Sequence, residues 1–497
     1  MTKPKNSREA ESVSFRDREF FIRLFGREVY AVGGYVRDLL LNPGLRDANN
    51  IDILITHHSL ADVSNRLKPF GKVDMVGKSF GIIKFNMKGQ TYDIALPRTD
   101  IPKEAQTRKH KDFIIRADPN IPVEKDLERR DFRCNSIALR LDDNTILDPF
   151  LGRADIENGI IRLTNPQAFP EDPLRVLRAA RFASVLGFSI DPEIYTSSQT
   201  VDLSGLSVER INEEMFRILL ESPLPSKGLE EMFRLSALRQ LFPELYRLSL
   251  SIQDALFHPE KDSYGHHTVW QHTKMTVDQA KRLAQSFSLD KGKELSLLLA
   301  ALFHDAGKAA TARWEFKRGR MVITNYGHDI ASERTAQDVF DRLKIYSWNG
   351  FDLRKTVLSL IRTHHRASEL WQNKDSVTKK AFNRLAADVQ GEIELVVLLD
   401  AADRAGRDEK PVTGLDREGQ WLLDKFKEMN VSKETIQPLI QGRDLIKLGV
   451  SPGPYMGKIL KTLYQLQLDN GFETHSDGIE EARKIILVDK KAKKPRD

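Results

Sequence analysis

Cysteine is almost absent. Cys134 is the single thiol in 497 residues, so no intrachain disulfide can staple the fold, and a reducing, cytoplasmic location is the expectation. Long apolar runs are missing as well. The longest, around Leu295 to Phe303, is interrupted by Ser296 and is too short to cross a bilayer. The opening MTKPKNSREAES holds no apolar segment of the kind that marks a secretory signal. No internal repeat punctuates the chain, which excludes a solenoid. Nor is the charge one-sided: a net +6 and a pI near 9.0 admit a polyanionic partner without requiring one. What is present is 40% hydrophobic and 30% charged, ordinary for a folded soluble protein, over a length that calls for two to four domains.

Two textures follow one another along the chain. From about Phe20 to Arg162, short β-rich runs (VYAVGG, NIDILIT, GIIKFNM, QTYDIAL, NSIALRL) alternate with polar turns and read as strands of a mixed sheet with one or two covering helices. Between Thr99 and Asp126 a stretch carrying RKHKD reads as a mobile basic loop. After Asp172 the spacing becomes helical, as in LRVLRAARFASVLGF, and strand signals almost vanish. Breaks are expected near Gly187, Pro225, Pro243 and Pro259. The closing KKAKKPRD reads as a basic, disordered tail.

Three early features carry chemistry. In VGGYVRDLLL a strand ends in Gly33 and Gly34 and a helix begins, carrying Arg37 and Asp38. Such a turn brings backbone N–H groups and a helix N-terminus close to a phosphate, and Arg37 can add a bidentate contact; a plain strand–helix turn has the same pattern. The next strand carries Asn50 and Asp52, which alternation places on one face. Acidic groups so placed can hold magnesium against a triphosphate and activate a 3′-hydroxyl. Asp93, in TYDIALPR, stands at a strand position that either supplies another carboxylate or is a solvated strand end.

Downstream come ERRDFRCNSIALRL (Glu128 to Leu141), ILDPFLGRADIENGIIR (Ile146 to Arg162) and EDPLRVLRAARFASVLGF (Glu171 to Phe188). In this order and spacing, with VERINEEM and LRQLFPEL after them, the set resembles the class II tRNA nucleotidyltransferases, the CCA-adding enzymes and their bacterial poly(A) polymerase relatives, over roughly residues 25 to 250. The resemblance implies that Gly33, Gly34 and Arg37, with the neighbouring Asp38, cradle the triphosphate and that Asp52 binds the catalytic Mg2+. It implies that Arg129, Arg130, Asp131 and Asn135 bind the incoming ribonucleotide, and that Asp172 and Arg175, with Arg178 and Arg181 on the following turns, read its base. Cytosine and adenine each place an exocyclic amine beside a ring-nitrogen acceptor. A carboxylate accepts from the first and a guanidinium donates to the second, so an Asp–Arg pair can select C and A without a template. At a spacing of three on a helix the same two residues can also form a plain surface salt bridge. One departure bears on activity: where the family has Asp-x-Asp on the first strand, position 50 is Asn. An amide has no charge to offset a cation, so either Asp93 or Asp47 compensates or the head is impaired. Arg133, Cys134 and Ser136, where the family usually has Thr, Ile and Ala, bear on packing.

Eight of the 12 histidines fall between His258 and His365. His304-Asp305 follows a buried-looking apolar run, and His272, His328, His364-His365 and Asp403 lie on or near expected helices; His and Asp suit Mn2+, Ni2+, Fe2+ or Mg2+. The order H…HD…H…H…D resembles the HD phosphohydrolase superfamily. That pattern implies one metal on His272, His304, Asp305 and Asp403, with His328 and His364 completing a second site. Near the end, GVSPGP precedes a helix with Lys458 and Lys461, suited to RNA phosphates or simply a solvated basic face.

The expected fold is therefore α+β: a disordered tail (1–15), a mixed-sheet nucleotidyltransferase head (16–165), a helical RNA-binding neck (166–250), a helical HD domain (251–415) and a helical tail domain (416–497). The expected function is addition of C and A from CTP and ATP to the tRNA 3′ end. Arg108, Lys109 and Lys111 of the basic loop would help hold the RNA by backbone and shape. Addition of only A or only C, poly(A) synthesis, or an HD phosphohydrolase with a silenced head are the alternatives, and the oligomeric state stays open. No membrane partner is expected.

Overall fold

A computed structural model describes residues 17–44, 50–76, 82–102, 113–408, 410–429 and 437–492. The expected tail 1–15, Asp47, the Asn50 side chain, the loop residues Arg108, Lys109 and Lys111, and residues 493–497 of the basic terminus lie outside them. The chain forms two compact units, Met1–Leu241 and Phe242–Asp497, so the division falls just ahead of the expected end of the neck.

The first unit is built on a mixed sheet. Its strands are β1 (Val29–Val32), β2 (Asn50–Ile55), β3 (Lys72–Val76), β4 (Ile82–Met87) and β5 (Gln90–Ala95). Two more, β6 (Arg98–Pro102) and β7 (Phe113–Ala117), form a separate antiparallel pair. Last come β8 (Ala138–Arg140) and β9 (Ile146–Leu147). The sheet order is β3-β4-β5-β2-β1-β8-β9; β2 and β5 pair in parallel and their neighbours antiparallel. The basic loop expected from Thr99 onward thus has paired arms, Arg98 to Pro102 and Phe113 to Ala117, which Pro102 and the basic run between them obscured.

Both faces of the sheet are covered, which is why β2 is apolar at nearly every position. On one side helix Arg18–Phe25 sets Phe21 edge-on against Tyr92 of β5, ring centroids 5.0 Å apart. On the other, helix Val123–Glu128 brings Val123 and Leu127 onto Val32, Leu54 and Ala138. Asp52 shares this second face with Leu54, two residues along the strand. The polar site therefore begins where the apolar patch ends. After the sheet, helix Leu174–Leu186 is closed by Gly187 at φ 75°, and Pro225 and Pro243 open helices at their first turn, where the missing N–H costs nothing.

The second unit is mostly helical. Helix Lys291–Phe303 is buried nearly all round from Leu295 to Phe303, as a central helix must be; Asp290 caps it by accepting from the N–H groups of Gly292 and Lys293. Helices Val269–Ser286, His328–Leu343, Leu353–Thr363 and Ile393–Ala405 complete the HD region. Strand pairing does not end with the head, contrary to expectation: Arg313–Lys317 and Arg320–Thr324 form a β-hairpin. Its alternation of aromatic and charged residues is a period-2 pattern too short to stand out between long helices. Nearer the C-terminus a core of Ile440, Leu445, Met456, Ile459 and Leu463 gathers beneath helix Pro454–Leu468. Lys458 and Lys461 lie on its exposed side. No helix among the described residues is long and apolar enough to cross a membrane.

Candidate active site and histidine cluster

The head site grows from register. In the parallel β2–β5 pair Asp52 stands directly opposite Asp93, and Asn50 opposite Thr91, so the expected partner for Asp52 lies on the neighbouring strand. Burial pushes the Asp52 carboxyl above its ordinary value; Arg130 opposes the rise and the charge of Asp93 adds to it. Gly33 ends β1 at φ 73°, and a Cβ there would lie 2.8 Å from Arg130 Nη1 and 3.2 Å from Asp52 Oδ2. The glycine turn, the carboxylate and a guanidinium therefore converge on one spot. A divalent cation fits this donor set, since a second carboxylate beside a half-desolvated one is relieved by positive charge.

Around that spot the arginines are fixed by buried acids. Asp126, fully buried, accepts from Arg129 at 2.7 Å and from Arg130 at 3.1 Å. Asp131 accepts from Arg178 at 2.7 Å, Asn135 at 3.1 Å and its neighbour's N–H at 2.8 Å. Burial alone would raise the Asp131 carboxyl, yet Arg178 and these donors bring it down to about 2. Arg37 donates to Asn135 at 2.7 Å and to Asp38 at 2.8 Å, while Arg181 donates to buried Glu214 at 2.6 Å. Arg178 and Arg181, expected among the base-reading residues, are thus turned to Asp131 and Glu214. Arg175 donates to the carbonyls of Ala168 and Arg129 at 2.9 and 2.7 Å, and Asp172 accepts from Arg210 at 3.2 Å.

Asp126, Glu214 and Arg210 escaped the sequence reading. Asp126 precedes Arg129 and Arg130 by three and four residues, a helical ion-pair spacing that could have revealed it. Glu214 and Arg210 come together with their partners only in three dimensions.

In the second unit six residues expected to bind metal are brought together. His272 Nε2 lies 2.8 Å from Asp403 Oδ1 and His304 Nε2 lies 3.6 Å from the same oxygen. Asp305 sits between two groups, 3.3 Å from His304 Nε2 and 3.4 Å from His328 Nε2. The sets His272–His304–Asp403 and His328–His364–His365 each hold their ligand atoms within 4.8 Å. The backbone orients the rings: His304, His328 and His364 donate Nδ1–H to the carbonyls of Ala301, Asn325 and Ile361 at 2.8, 2.8 and 2.6 Å. Each is left with Nε2 as its coordinating atom, the arrangement that outer-shell hydrogen bonds impose on metal ligands. The buried Nε2 of His364 has no hydrogen-bond partner among the described residues, which a metal would supply, while the carboxylates of Asp305 and Asp403 against His304 outweigh its burial and raise it to about 10. Burial and neighbouring imidazoles hold His364 well below its ordinary range and His365 at about 4, so both are in the neutral, ligating form.

Glu260 and Lys308 join this cluster without having been singled out, and His365, named with His364 but given no ligand role, belongs to it as well. Glu260 Oε1 is 3.0 Å from His272 Nδ1, the carboxylate–imidazole pairing that raises a ligand's basicity. Lys308 reaches Asp305 at 2.7 Å, three residues on in a helical turn, so spacing alone could have suggested it.

Residues 29–162 match the family described as Poly A polymerase head domain, 187–248 the "Probable RNA and SrmB- binding site of polymerase A", and 269–408 the HD domain. The multifunctional CCA protein of Mannheimia succiniciproducens is 32% identical over 388 residues, 76% of this chain and 84% of that protein. The chain belongs to the multifunctional CCA protein family. Its relative of that name from Xanthomonas axonopodis pv. citri is 32% identical across 87% of this chain and 96% of its own length. Among solved structures, the Bacillus stearothermophilus CCA-adding enzyme in complex with CTP shares the fold at TM-score 0.57 and 21% identity, covering 95% of this chain and 97% of that one. The Thermotoga maritima CCA-adding enzyme complexed with tRNA does so at TM-score 0.52 and 19% identity, again covering 95% and 97%. Membership in this family joins the head, the RNA-binding segment and the HD domain on one chain.

Proposed function

We propose that this protein completes tRNA 3′ ends by adding C and A residues from CTP and ATP, choosing each base with protein side chains. The observation that supports this most is the convergence of Asp52, Asp93, Arg130 and the Gly33 turn. Asp52 and Asp93 would hold Mg2+, which neutralises the triphosphate and sharpens the attacking 3′-hydroxyl. Gly33 and Gly34 let the phosphates approach the helix start, with Arg37 held in place by Asp38 and Asn135. Arg129 and Arg130, anchored on Asp126, bind the nucleotide. Asp172 and Arg175 read the base edge, and Lys458 and Lys461 steady the RNA. Asp93 takes the part that Asn50 lacks charge to play.

The histidine cluster supports a second, hydrolytic activity on phosphoesters. Its favouring observations are the partnerless buried Nε2 of His364 and the convergence of His272, His304 and Asp403 within 4.8 Å. A bound Mn2+, Ni2+, Fe2+ or Mg2+ would supply a Lewis acid and an activated water, and His272, Asp305, Asp403 and His328 would share in holding it. The cytoplasm is the proposed location; Cys134, buried and with its thiol pushed up to about 12 by burial, is inert there. A tRNA ending just before CCA, incubated with magnesium and labelled CTP, ATP or both, tests the main reading. Stepwise addition of two C and one A is the expected product. Extension by A alone or C alone would mark a specialised transferase, and no extension would contradict the proposal.

A further inference from the structure

The β-hairpin of the second unit has no part in either activity above. Its register pairs Trp314 with Ile323 and Phe316 with Met321, so strand alternation gathers these four side chains on one face. The other face is the anchored one. Val322 is buried there, and Arg320 grips Asp254 through both nitrogens at 3.0 and 3.1 Å. The ribbon is thus tied down by its charged face and turns its apolar face outward: Trp314 is 62% exposed, Phe316 71% and Met321 51%. This reverses the usual arrangement of an amphipathic ribbon, and exposed aromatic groups of this kind mark binding surfaces. Exposed Arg318 stands at the turn end of the first strand, and exposed Arg313 at its start, on the charged face. The second strand leads into the histidine cluster, because His328 follows Thr324 by one short turn and anchors its Nδ1 on Asn325 at 2.8 Å.

We propose that the outer face of this hairpin is a stacking platform for single-stranded RNA, lying beside the histidine–aspartate cluster. Flat rings on a ribbon whose edge and other face are basic are the combination that holds unpaired bases and their phosphates without reading sequence. Trp314 and Phe316, two residues apart on a strand, are separated by about 6.7 Å, roughly two layers of the 3.4 Å nucleotide stack. The pair can take one base between the rings or one on each. Four side chains fall short of the roughly 800 Å² a side that a stable protein interface takes, and arginines at both ends suit a polyanion better than an apolar partner. The platform is independent of nucleotide addition; the hydrolytic reading of the cluster matters only for what becomes of the bound strand.

Fluorescein-labelled octauridylate is the probe, since the head reading disfavours uracil, and its anisotropy is titrated with the full-length protein. Trp314→Ala and Phe316→Ala should each weaken binding about tenfold, whereas Trp314→Phe should keep most of it. Both rings are exposed, so thermal melting should not move, and incorporation of CTP and ATP into a tRNA primer should match wild type. Failure of primer extension in every protein would refute the transferase reading and leave the anisotropy result standing. The platform is overturned if wild type does not bind octauridylate, or if the double variant binds it equally well. It is also overturned if sedimentation shows the double variant splitting a wild-type dimer, since the face would then belong to a second copy.

Discussion

The two polar centres solve opposite problems. In the head, each guanidinium group is matched to a buried carboxylate: Arg129 and Arg130 to Asp126, Arg178 to Asp131, Arg181 to Glu214. Around the histidines the matching stops short, with Lys308 against Asp305 inside the cluster and the buried Nε2 of His364 left over among the described residues. A lattice of ion pairs holds its shape before any ligand arrives, so the head is prepared for an anion whose charge the arginines' spare donors can share. A cluster of carboxylates and imidazoles, with His364 and His365 held neutral, is suited to a cation. On the proposed reading one chain carries a preformed nucleotide cradle and a separate metal centre, and each should fail by itself.

The largest effect is expected from Asp52→Ala. Incorporation should fall by roughly a hundred- to a thousandfold, the range for losing one preorganised electrostatic group, while metal bound at the histidines stays constant by elemental analysis. A parallel loss of that metal would break the comparison. His304→Ala/Asp305→Ala is the reciprocal case: transition metal should drop to background with primer extension unchanged. If wild type binds no metal and cleaves no phosphoester, the cluster is structural.

Asp131 sharpens the claim that the head is preformed. Its folded value of about 2 lies below the ordinary 3.8 of an aspartate, a difference corresponding to about 2 kcal/mol of stability by linkage. A depressed carboxyl contributes fully above its unfolded value and loses its contribution as pH falls through the folded one. Urea unfolding should therefore show Asp131→Asn weaker than wild type at pH 7, with the gap closing between about pH 4 and pH 2. A gap that does not depend on pH would assign Asp131 a role in packing rather than charge. Smaller still is Asn50→Asp, which adds a carboxylate to the strand carrying Asp52. If Asp93 already compensates, incorporation at saturating magnesium should change little and rise by up to about tenfold when magnesium is limiting.

Much of this was legible in the residues themselves. Gly33-Gly34, Asp52 and the Arg129-Arg130-Asp131 run stand in short motifs where local geometry and chemistry coincide, and His304-Asp305 announces itself at the end of an apolar helix. The register that sets Asp93 against Asp52 was not legible, because parallel pairing joins strands distant in sequence. Nor was the redirection of Arg178 and Arg181, since helical spacing tells which residues share a face but not which acid waits opposite. Glu214 and Glu260 are silent for the same reason. The hairpin at Arg313 to Thr324 was hidden by brevity, ten or so residues of alternation between long helices.

The measurement that bears most directly on base choice by side chains is steady-state kinetics of Asp172→Ala with all four ribonucleotides. Removing one partner leaves a polar group on the base unpaired, costing roughly 1–3 kcal/mol, or about tenfold or more in discrimination. Asp172→Ala should lose its preference for C and A over U and G while tRNA binding stays near wild type, and Arg175→Ala should behave likewise. If Asp172→Ala instead slows all four nucleotides equally, Asp172 serves only to hold Arg210 and the neck helix, and the account of base selection is wrong.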